Sequence, residues 1–164
     1  MKKQLLRLGA ILLAVGGPAI SHAANLPPLA ALLDCKGEAS GVAAYVDALE
    51  DGGLPGWSKN DELSGFASAV YRTPKPVSVA GLPTTDVRFG DYQLGNYTAY
   101  GITSATDLNA VASQLGLRGV AGRGLARESA RGAWIVAREY KGRVELGCEY
   151  PNPRLGGQKG APAR

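Results

Sequence analysis

Residues 133–150 read AWIVAREYKGRVELGCEY, and their spacing decides the fold. Val144, Leu146, Cys148 and Tyr150 alternate onto one face, with Glu145 and Glu149 on the other, which is the period of a half-buried strand. The run from Ala133 to Glu139 carries Trp134, Ile135 and Val136, residue types that favour strands. Tyr140 to Gly142 is a turn short enough to fold the two runs into an antiparallel hairpin.

Working outward, shorter runs of the same kind cover Phe66 to Arg72, Val77 to Ala80, Thr85 to Phe89, Asn96 to Ile102 and Arg123 to Glu128, separated by proline and glycine. Two stretches carry the helical period instead. Val42, Tyr45, Val46 and Leu49 fall at i, i+3, i+4 and i+7 between Ser40 and Glu50, and Gly52 and Gly53 end the pattern. Leu108, Val111, Ala112 and Leu115 form a second stripe before Gly116, with Ser104 as the expected cap and Asp107 three residues later. Pro27 and Pro28 make Ala24 to Leu33 read as an extended lead-in.

The expectation is an α+β fold, an antiparallel sheet of six or seven strands with two helices packed on one face. Both halves place a helix before strands, and Gly65–Gly81 resembles Gly132–Gly147 in spacing, the outline of a faint duplication. About 140 residues after the first 23 suffice for one core, so 24–150 is expected as one domain and 151–164, rich in proline, glycine and cations, as a disordered tail.

The first 23 residues have the three parts of a cleavable export signal: Lys2, Lys3 and Arg7, then apolar Leu8 to Gly17, then Pro18. Ser21 and Ala23 supply the small residues before a cut after Ala23. The apolar stretch is about ten residues, against the roughly 20 that span a bilayer, so neither an anchor nor a membrane span is expected. A lipid-anchored form needs a cysteine at the cut, and the first cysteine is Cys35, behind Asp34. The expected location is the periplasm, with secretion as the alternative.

Removing that segment changes the chemistry available. Three of the 18 basic residues leave with it, so 15 face 14 acidic residues and the basic pI no longer argues for nucleic-acid binding. His22, the only histidine, leaves as well. Imidazole-based nucleophilic catalysis and histidine metal sites are thereby excluded from the mature chain, and no cofactor is expected. Two cysteines 113 residues apart allow neither a C-x-x-C centre nor a thiolate cluster. In an oxidising compartment Cys35 and Cys148 are expected to form a disulfide.

Candidate sites are few. Gly119, Gly122 and Gly124 with Arg118 and Arg123 suggest a phosphate-cradling loop, but this loop follows a helix and leads to strands, so it reads as a connector. Arg118 to Arg143 holds seven cations against Glu128 and Glu139, while Asp34 to Glu62 holds seven acids against Lys36 and Lys59. These segments either face each other or are simply solvated, or they polarise the surface toward a charged partner. Arg123, Arg127, Arg131 and Arg138, with Tyr92, Tyr97 and Tyr100, are the residues expected to contact a protein partner; the tyrosines read equally as strand filler, and Trp134 as core.

Carboxylate catalysis is the enzymatic route that remains, through Asp86 with Asp91 or Glu145 with Glu149. By elimination the expectation is not an enzyme but a small exported protein-binding domain, an inhibitor or immunity-type protein that blocks an enzyme or toxin. An accessory subunit of an envelope assembly and a hydrolase of wall glycans are the alternatives.

Overall fold

The hairpin at the end of the chain lies in the middle of the sheet. The computed structural model describes residues 25–65, 68–90 and 95–152, and the proposed export signal, Asp91, Tyr92 and residues 153–164 lie outside it. Among the described residues three helices, α1 (Leu29–Leu33), α2 (Ala39–Glu50) and α3 (Leu108–Leu115), accompany eight strands. The strands are β1 (Ser58–Lys59), β2 (Val70–Val79), β3 (Leu82–Gly90), β4 (Tyr97–Ile102), β5 (Arg118–Val120), β6 (Gly124–Glu128), β7 (Trp134–Tyr140) and β8 (Arg143–Tyr150). They form one antiparallel sheet in the order β1-β2-β3-β4-β8-β7-β6-β5. Two four-stranded meanders, each preceded by a helix, therefore meet at a seam between β4 and β8.

The fold is α+β as expected, but the sheet has eight strands rather than six or seven. The additional strands are β1 and β5, at the two edges, two and three residues long and too short to show a period. The expected connector around Gly119 to Gly124 is the β5–β6 hairpin. Conversely, the runs expected at Phe66 to Arg72 and Val77 to Ala80 contribute to one strand, β2, which starts at Val70 and whose register shifts between Arg72 and Val77, while Phe66 and Ala67 lie outside the described residues. Pro74 and Pro76 are tolerated there because β1 pairs only with Tyr71 and Arg72, leaving the outer edge beyond them without a ladder to break. Gly65–Gly81 thus spans a single strand and Gly132–Gly147 a hairpin, so the likeness of the halves lies in topology and not in that spacing.

Three helices, not two, share one face of the sheet. Leu29, Leu32 and Leu33 of α1, Val42 and Tyr45 of α2, and Val111 and Ala112 of α3 join Val79, Val87, Ala99, Leu146 and Cys148 in the main core. The segment expected as extended turns helical at Leu29 because Pro28, with φ of −56°, sits at the N-cap, where no intrahelical donor is required. Its three leucines then fall at i, i+3 and i+4 on the buried side.

The C-terminus of α1 is closed by bonds from the Lys36 amide to the Ala31 carbonyl and from the Cys35 amide to the Leu32 carbonyl, at 2.8 and 3.3 Å. This motif puts its C′ residue in the left-handed region, where glycine is usual, and that residue is Cys35, with φ of 58°. The Cys35–Cys148 disulfide forms and ties this turn to β8.

Helix α3 is capped by Asp107, whose carboxylate accepts from the Ala110 amide at 2.9 Å, and not by Ser104. The Thr103 amide donates to the Val144 carbonyl and the Val144 amide to the Ala105 carbonyl, which prolongs the β4·β8 ladder past Ser104 and delays the helix. Strand β7 likewise runs to Tyr140, because the turn is the two-residue pair Lys141–Gly142, both with positive φ (50° and 75°).

Candidate functional site

The face of the sheet opposite the helices carries most of the ionisable groups of the strands. Register places them in three rows across the strands. The first is Arg72–Asp86–Ile102–Glu145–Arg138, the second Val70–Arg88–Tyr100–Gly147–Val136–Ala126–Arg118, and the third Gly90–Thr98–Glu149–Trp134–Glu128.

Glu145 is the centre of the arrangement. Its side chain is 0% exposed, and a carboxylate so placed requires a counter-charge. Arg88 reaches it diagonally across β4, giving Nε to Oε1 and Nη2 to Oε2, both at 2.7 Å, and Arg138 adds its Nε to Oε2 at 2.6 Å. Both guanidinium groups lie over the Tyr100 ring, Arg138 at 4.4 Å from the centroid and Arg88 at 5.4 Å. The Tyr100 hydroxyl donates to Glu149 Oε1 at 2.8 Å, and Glu149 also receives Arg123 Nη1 and Asn96 Nδ2. Arg123 lies 4.9 Å over the Trp134 ring.

Burial pushes the Tyr100 hydroxyl well above the usual tyrosine range, and Glu149 adds to it against the opposing field of Arg138. Tyr100 is therefore a neutral donor.

Gly147 makes room for this arrangement. A Cβ there would run into the Ala99 carbonyl oxygen and come within 2.7 Å of Tyr100 Cα, so the β4 and β8 backbones approach as only glycine permits.

A strap crosses the same face. Asn60 Nδ2 donates to Asp86 Oδ1 at 2.7 Å, Leu63 packs with Val70 and Ile102, and the Tyr140 hydroxyl donates to the Leu63 carbonyl at 2.7 Å. Lys141 Nζ closes the far end on the Glu62 and Ser64 carbonyls. The strap hides the apolar middle of the first row and leaves its ends, Arg72 and Arg138, 56% and 42% exposed.

The residues singled out from the sequence fall in several places. Tyr100, Arg123 and Arg138 come together in the network just described. Tyr97 points into the helix-side core at 4% exposure. Trp134 is half-buried on the opposite face instead of lying in that core. Arg127 lies opposite Ile135 on the helix side and is exposed. Arg131 borders a shallow cleft of about 440 Å³ with Pro27, Lys36 and Glu38. The arginines therefore do not form one set.

Glu145 and Glu149 do share a face, but each is taken up by guanidinium groups, and Asp86 is held by Asn60 and Arg72. Among the described residues no ion pair joins the acidic segment 34–62 to the basic segment 118–143. Arg72, Arg88 and Tyr140 were not signalled by composition; only strand register brings them to this face.

No helix among the described residues is long and apolar enough to cross a membrane, and no group of three or more potential metal ligands occurs among them. Comparison of the chain with family models, with curated proteins and with solved structures finds no match.

Proposed function

We propose that the chain is an exported, periplasmic protein-binding domain of the inhibitor or immunity type, and that it contacts its partner through the sheet face opposite the helices. The observation that carries this reading is the state of the arginines there. Arg72 and Arg138 are about half exposed, yet each gives its Nε to a buried carboxylate, Asp86 at 3.2 Å and Glu145 at 2.6 Å. Long cationic side chains normally lose rotamer freedom on binding, and these have largely lost it already. Half-buried Trp134 and Tyr140 lie on the same face, and aromatic residues beside arginine are the usual anchors of protein interfaces.

The sheet edges favour a face over strand addition. One edge is the two-residue β1, beyond which β2 presents Pro74–Lys75–Pro76; the other is the three-residue β5. Short edge strands, proline and lysine all obstruct a docking strand. The disulfide suits an oxidising compartment, and residues 1–23 supply the export pattern.

The test is capture of partners from periplasmic and secreted extracts by the oxidised protein, with Trp134→Ala and Tyr140→Ala beside Arg127→Gln on the helix side. One dominant enzyme or toxin, lost with the first two variants and kept with the third, supports the reading. A partner lost only with Arg127→Gln, or turnover of wall material by the purified protein alone, overturns it.

A further inference from the structure

The two ends of the first row match. Read from either side it runs arginine, acid, isoleucine, acid, arginine, from Arg72 on β2 to Arg138 on β7. At each end the arginine spends Nε on a buried acid, and that acid has further donors of its own: Asn60 for Asp86, and the two-pronged Arg88 for Glu145. The acids therefore do not need the rest of the guanidinium group. Among the described residues, the Nη groups of Arg72 and Arg138 have no hydrogen-bond partner.

Resting on the proposed function, we infer that Arg72 and Arg138 are paired anchors for carboxylate side chains on an acidic protein partner, one at each flank of the strap. A guanidinium group tethered at Nε still presents its two Nη groups, and a carboxylate can accept from both. Four strand spacings separate the anchors, roughly 19 Å at about 4.8 Å per strand. The buried acids are covered by their own arginines, so the charge a partner meets at these flanks is positive, the complement of an acidic surface.

The test uses hexaglutamate peptide as probe, read by the NMR signals of the arginine side chains in the oxidised protein. The expected result is movement of the Arg72 and Arg138 signals, with affinity falling about tenfold in Arg138→Gln and nearly as much in Arg138→Lys, which keeps the charge but loses the fork. Arg88 still occupies both Glu145 oxygens in these variants, so the buried acid stays paired. Undisturbed signals, an equal loss with Arg127→Gln, or equal displacement by inorganic phosphate would each overturn the anchors. A captured partner that tolerates Arg72→Gln and Arg138→Gln but not Trp134→Ala would also remove the anchors, while leaving the sheet-face reading in place.

Discussion

Replacing Glu145 by glutamine should be among the most damaging single changes on the sheet face away from the helices. Glu145 is wholly buried and its main partner, Arg88, is only 12% exposed, so the change leaves a guanidinium group out of water with no counter-charge. Breaking a buried pair from one side costs about 3–5 kcal/mol. That is a large share of the roughly 5–15 kcal/mol that holds a domain folded. Arg138 adds little to this figure, because at 42% exposure its attraction to Glu145 is screened, and Arg138→Gln should cost no more than about 1 kcal/mol.

Urea unfolding of the oxidised protein, followed by tryptophan fluorescence, gives both values. A double-mutant cycle of Glu145→Gln with Arg88→Met should show a coupling of about 2 kcal/mol or more, since the second change removes the stranded charge. The reasoning fails if Glu145→Gln lies within about 1 kcal/mol of the parent, or if Arg138→Gln is as costly as Arg88→Met.

Four further outcomes can be measured with the same protein. Gly147→Ala should cost about 3 kcal/mol, the upper part of the range for overpacking, because the obstacle is backbone and cannot rotate away; a normal urea midpoint would contradict the close approach of β4 and β8. Removing the disulfide through Cys35→Ser with Cys148→Ser should cost about 2–5 kcal/mol. In that background glycine at position 35 should recover about 0.5–1 kcal/mol, since φ of 58° no longer has a covalent tie to hold it, and no gain over serine would contradict the turn geometry. Burial raises the pKa of Tyr45, Tyr100 and Tyr150, the last to about 12, above the value near 10 of an exposed tyrosine. The folded state then holds protons that the unfolded state has released, so stability present below pH 10 should fall as pH rises toward 12, by up to about 1.4 kcal/mol per unit for each tyrosine. Tyr150→Phe should flatten the curve, and urea midpoints that do not move between pH 9 and 11.5 would contradict it. Finally, Pro74→Val with Pro76→Val should open the β2 edge and shift size-exclusion profiles toward larger species; an unchanged profile would show that the prolines do not guard it.

The strands and helices with a clear hydrophobic period were readable before folding, β8 and α2 above all, because burial on one side imposes that period. The edges were not, since β1 and β5 are held by register with their neighbours and not by a pattern of their own. Part of the face network was nonetheless within reach. Two residues of turn, Lys141–Gly142, set Tyr140 opposite Arg143 and hence Arg138 opposite Glu145; counting Tyr140 into the turn concealed that pair. The reach of Arg88 over β4 and the strap from Asn60 to Ser64 depend on which strands become neighbours at the seam, and pairing between segments about 45 residues apart leaves no local mark. Tyr97 shows the same limit from the other side: a tyrosine in a strand reads as surface or core with equal ease until the helices are placed.

The placement of β8 also has a consequence for how the chain is made. Its residues come last in sequence among the described strands, yet they occupy the middle of the sheet. Until Arg143 to Tyr150 arrive, the first meander ends in an open β4 edge, the second lacks its inner neighbour, and Cys35 has nothing to bond. A chain stopped before Arg143 loses the seam, the buried acid and the disulfide together. Completing the sheet therefore takes a late step that joins two exposed edges, and the interval before it is when the chain is most open to pairing with another copy of itself.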